Sequence, residues 1–111
     1  KIVDFSLFTI NNEDTTAAIF NSDSPYVLIF SGNIDTSIPW ETLIKTIQQK
    51  NKQVYLVTAD KVNALQLKLD IPILIGDMTM IKTAARVWPT IAIMNGATIM
   101  EKQSYIDFLK K

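Results

Sequence analysis

Two short stretches hold the residues whose types and spacing could do chemistry. Asp35, Thr36 and Ser37 stand just ahead of a segment with helical spacing, and Trp88, Pro89 and Thr90 stand just ahead of an apolar, strand-like run. A carboxylate with two hydroxyls at a helix start is a candidate site for a small acid or a peptide carbonyl, because free N–H groups and the helix dipole favour negative charge there. The same residue types are also the usual helix caps, and Asp35 can fill the place with its own carboxylate. Capping is the reading favoured here. Trp88 offers a flat apolar contact beside Pro89, but a Trp body is largely buried wherever it lies, so packing is its favoured reading.

The rest of the composition excludes more than it offers. The 111 residues include no cysteine and no histidine. A disulfide, a thiol nucleophile, a Cys or His metal site and an imidazole acid–base catalyst are therefore impossible. Asp60, Asp70 and Asp77 all fall at expected element junctions, where caps and turns account for them. Trp40 reads as core or staple packing. Met78, Met80, Met94 and Met100 alternate with Ile and Ala as ordinary burial does. No phosphate-binding loop, Gly-x-Gly-x-x-Gly or Gly-x-Ser-x-Gly occurs, so no cofactor and no metal is expected.

Eleven basic residues balance eleven acidic ones. Nucleic-acid binding draws its affinity from a positive excess that is missing here, and runs of like charge no longer than pairs give no polybasic membrane anchor. The longest apolar run is Tyr26-Val27-Leu28-Ile29-Phe30, far short of the roughly 18 residues of a membrane span. No direct membrane insertion is expected of this chain. The length suits one domain over 1–111, and the start at Lys1 rather than Met suggests a fragment of a longer protein.

The elements that must position the two stretches follow from periodicity. Residues 3–10 alternate roughly as an edge strand, 11–14 make a turn, and 15–20 make one helical turn. The run 26–30, apolar on both faces, reads as a central strand. Pro39 suits a first helical turn, and Trp40, Leu43, Ile44 and Ile47 share one helical face. A second buried strand covers 54–57. Asp60 caps a helix whose inward stripe is Val62, Leu65 and Leu69. A short strand at 73–75 and a helix over 78–87 follow, with Met78, Ile81, Ala84 and Ala85 inward. Strands 90–94 and 97–100 flank Asn95-Gly96, expected as a type I′ turn with φ > 0 at both residues. Residues 104–111 form a last helix with Tyr105, Ile106 and Leu109 inward. Alternating β and α units imply parallel pairing through right-handed crossovers, with the hairpin adding antiparallel strands.

This order, with Trp88-Pro89-Thr90 before a strand and Gly96 in the hairpin, resembles the thioredoxin superfamily. Asp4-Phe5-Ser6-Leu7, the strand 26–30 and the helix from Pro39 resemble its redoxin branch, which includes TlpA-like proteins and peroxiredoxins. More narrowly, Val27-Leu28-Ile29-Phe30-Ser31, Val57-Thr58-Ala59 and Trp40 resemble the C-terminal domains of DoxX-type bacterial membrane proteins. The resemblance implies a thioredoxin-like three-layer α/β/α sandwich with a central mixed sheet. It also implies a cis peptide bond at Pro89, with the preceding residue's backbone pairing to an extended peptide.

The departures from that family decide the chemistry. The superfamily's Cys-x-x-Cys falls near Asp35-Thr36-Ser37-Ile38, and its buried proton carrier near Ile29. Thiol–disulfide exchange needs a thiolate, and neither Asp35 nor Ile38 supplies one. The expected function is a non-catalytic binding or interaction domain, part of a bacterial protein tethered to a membrane by segments outside this chain. Its site would be Asp35, Thr36, Ser37, Trp88, Pro89 and Thr90, and its partner an extended peptide or protein segment. The alternatives are a purely structural domain, or an enzyme working through Asp35 and the hydroxyls of Thr36 or Ser37.

Overall fold

The computed structural model describes residues 6–50 and 53–109. The first helix is α1 (Thr16–Phe20), followed by strand β1 (Tyr26–Phe30) and helix α2 (Trp40–Lys50). Strand β2 (Val54–Thr58), helix α3 (Lys61–Gln66), strand β3 (Ile73–Ile75) and helix α4 (Met78–Ala84) come next. The hairpin β4 (Thr90–Asn95) and β5 (Thr98–Ser104) leads into helix α5 (Tyr105–Leu109).

The strands make one mixed sheet in the order β3-β2-β1-β4-β5. β2 runs parallel to β1 and β3, while β4 runs antiparallel to β1 and β5. All five side chains of β1 are buried, so each face of this middle strand supports its own core. Tyr26, Leu28 and Phe30 pack with Ile19 of α1 and Ile81 and Ala84 of α4. Val27 and Ile29 pack with Leu43 and Ile47 of α2, Ala64 of α3 and Phe108 of α5. Fully burying each large apolar side chain contributes about 1.5–3 kcal/mol, which makes β1 the anchor for the loops at its end. No described helix is long and apolar enough to cross a membrane.

α2 buries Trp40, Leu43, Ile44 and Ile47, the face its spacing predicts. Four expectations need correction. In α3 the inward residue is Ala64, whereas Val62 and Leu65 are exposed at 68% and 42%. The helix stops at Gln66 and Lys68 adopts φ 52°, so the helical stripe never reaches Leu69. α4 ends at Ala84 because Ala85 is extended, with φ −148° and ψ 125°, which sets Arg86 and Val87 outside the helix.

The hairpin turn is centred on Gly96-Ala97, since Asn95 pairs with Thr98. Positive φ occurs at Gly96, at 60°, and not at Asn95 or Ala97. Glycine at the first central position belongs with a type II′ turn rather than the expected I′. In α5 the buried residue is Phe108, and Ile106 is 51% exposed.

At the N-terminal end, Phe8 exchanges backbone hydrogen bonds with Ile75 of β3, at 3.0 and 2.7 Å. This extended segment covers part of the sheet's outer edge. Asp4 and Phe5 of the redoxin-like stretch lie outside the described residues.

Candidate functional site

The loop leaving β1 is fastened to the end of β2 and the start of α3. Gly32 O accepts from Ala59 N and Thr58 Oγ1, each at 3.2 Å. Ile34 N donates to Asp60 Oδ2 at 3.1 Å, and the same carboxylate caps α3 by accepting from Asn63 N at 3.3 Å. These hydrogen bonds hold the Asp60 carboxyl below its ordinary range, that of the Asn63 side chain first and that of the Ile34 amide next. Asp60 thus serves as the expected cap and as the clasp of the candidate loop.

Asp35 does not cap α2. Its Oδ1 accepts from Ser37 N at 2.9 Å and Ser37 Oγ at 2.7 Å, closing a local turn. Those two bonds lower the Asp35 carboxyl from its ordinary value, the side-chain bond more than the backbone one. One oxygen of that carboxylate is thereby committed to Ser37. The Asp35 carbonyl accepts from Trp40 Nε1 at 2.8 Å and from Ile38 N at 3.2 Å. The favoured capping reading therefore fails in its detail. The α2 chain enters through Pro39, whose carbonyl takes the Leu43 amide at 2.9 Å.

Across from this loop, the segment after α4 forms a second wall. The Trp88–Pro89 peptide bond is cis. The half-buried Trp88 donates from Nε1 to Ala85 O at 3.1 Å, and its ring lies against Gly32. Between the walls runs a groove of about 540 Å³, bordered by Ser31, Asn33, Asp35, Lys82, Arg86 and Trp88, with Pro89 among its further lining residues. Asp35, Trp88 and Pro89 are thus brought together as the sequence suggested. Thr36 and Ser37 are exposed and lie outside this lining. Thr90 is buried, donates through Oγ1 to Val87 O, and borders a neighbouring hollow with Thr83, Lys102 and Ser104.

Two features escaped the sequence reading. Lys82 and Arg86 line the groove, on the polar side of a segment whose pattern speaks only for its apolar face. Their four-residue spacing was the available signal. The other is a backbone property. The amide N–H and carbonyl of Trp88 enter no hydrogen bond among the described residues, whereas the Pro89 carbonyl accepts from Tyr105 N at 3.1 Å.

Asp60 and Asp77 cap α3 and α4. No group of three carboxylates able to hold a metal gathers among the described residues. No protein-family model matches the chain, and none of the curated proteins compared with it matches.

Proposed function

We propose that this chain is a non-catalytic binding domain on a thioredoxin-like scaffold, one part of a bacterial membrane-associated protein. Its groove between the 31–35 loop and the 85–89 segment takes an extended peptide or protein segment. The observation that carries the proposal is the pair of unengaged backbone groups on Trp88. A backbone donor and acceptor on one residue are complementary to an extended strand, which supplies an acceptor and a donor in return. The groove beside them gives side chains of such a segment somewhere to lie. The absence of cysteine and histidine supports binding rather than redox turnover. The bacterial, membrane-tethered setting rests on the DoxX-like stretches alone.

Trp88 is also the natural reporter. A Trp40→Phe variant leaves it the sole tryptophan. Its emission should shift on titration with members of a library of extended peptides, and Asn33→Phe, which fills the exposed loop side of the groove without adding an indole, should abolish that binding with the circular dichroism unchanged. Should no peptide move the Trp88 emission or bind by calorimetry, the purely structural reading takes its place.

A further inference from the structure

We infer that the groove selects extended segments that carry an internal Asp or Glu, whose carboxylate lies against Lys82 and Arg86. This rests on the peptide-binding reading above and adds the ligand's chemistry to it. The chain as a whole is neutral, whereas the groove sets Lys82 and Arg86 against the single carboxylate of Asp35, which leaves a local excess of positive charge. Neither has a carboxylate within salt-bridge distance among the described residues, where the Lys45–Glu41 pair on α2 is the contrasting case. The charged groups around them are few. Asp35, on the opposite wall, spends its Oδ1 on Ser37. Asp107 borders only the neighbouring hollow, which Arg86 also reaches, and Lys102 there donates to Ala84 O at 2.8 Å.

The helix dipole accounts for Lys82, which sits in the last turn of α4. It does not account for Arg86, which lies beyond the extended Ala85. Two like charges on one wall repel, and a ligand carboxylate relieves this while forming charge-assisted hydrogen bonds, bidentate at the guanidinium. A free phosphate would satisfy the cations and, near neutrality, carries an O–H to donate, but it has no extended backbone to pair with the Trp88 N–H and C=O together. A peptide supplies both. The residue that pairs with Trp88 uses both its N–H and its C=O, and an Asp or Glu side chain of the same segment reaches the cations without requiring the chain to end there.

The test uses short random peptides, acetylated and amidated, captured by the intact domain. Captured sequences should carry Asp or Glu at one fixed position. Their affinity should fall about tenfold in the Lys82→Gln, Arg86→Gln double variant and should weaken as salt rises. A matching library with free C-termini checks the carboxylate's source; capture confined to it overturns the side-chain assignment. Captured peptides that are neutral or basic, or acidic ones that bind the double variant equally well, overturn the inference and leave the peptide-binding groove standing. No capture from either library overturns both.

Discussion

At Gly32 the backbone comes so close to Trp88 that a side chain has no room. An added Cβ would stand 2.5 Å from Trp88 Cη2 and 2.6 Å from Met78 Sδ. The Met78 thioether can swing away, but the indole is tied through Nε1 to Ala85 O. Gly32→Ala should therefore lower stability by about 1–3 kcal/mol, the usual range for overpacking, and shift Trp88 emission. An unchanged urea midpoint would mean that the ring moves aside freely and does not form a fixed wall. A second residue, Tyr26, ties β1 to the turn of the neighbouring hairpin. Tyr26 Oη donates to Gly96 O. Burial first, and the neighbouring Tyr55 second, push the Tyr26 phenol up from 10.0 to about 12. A folded-state value above the unfolded one gives stability that is whole below 10.0 and is lost as pH rises toward about 12. Tyr26→Phe should cost about 1 kcal/mol near neutrality for the lost hydrogen bond. It should also flatten the decline in urea midpoint across that alkaline interval.

At the scale of elements, α3 separates pattern from packing most clearly. Its apolar spacing predicts Val62, Leu65 and Leu69 inward, yet a six-residue helix cannot carry a stripe of that length. Ala64 meets the core instead, fully buried among residues of β2 and α2. Val62→Gln should then change stability by no more than about 0.5 kcal/mol, as at ordinary surface positions. Ala64→Leu should lower it by about 1–3 kcal/mol, and equal effects in urea denaturation would refute this orientation of the helix. The longer α2 was legible because eleven residues repeat the period enough to fix a face. β1 was legible because it is apolar at every position. The candidate site was legible only where side-chain type carries the signal, at Asp35, Trp88 and Pro89. Thr36 and Ser37 fall outside the groove's lining, where the Asp35 carboxylate folds onto Ser37 rather than onto α2. The Trp88 backbone groups were out of reach, since hydrogen-bond vacancies depend on which chain segments meet.

For the molecule as a whole, the two cores on either side of β1 stabilise a frame proposed to be thioredoxin-like, with the apolar Ile29 buried on the strand that leads into the loop. Restoring the thiols alone tests whether frame or interior is limiting. In an Asp35→Cys, Ile38→Cys variant, the first thiol would sit on an exposed loop. The second would replace a half-buried side chain packed against the core of Ile29, Leu43 and Ile47. Reduction of a disulfide by such a pair proceeds through a mixed disulfide. The second thiol must then lose its proton to resolve it. Apolar surroundings raise a thiol's pKa, and Ile29, fully buried beneath the loop, offers no group to accept the proton. The mixed disulfide should therefore form and persist. Insulin reduction by the double variant should stay near the uncatalysed rate, while trapping with a small aromatic disulfide should show the first cysteine reacting. Robust turnover would mean that solvent or the loop itself handles the proton, and that the missing thiols alone separate this domain from a reductase.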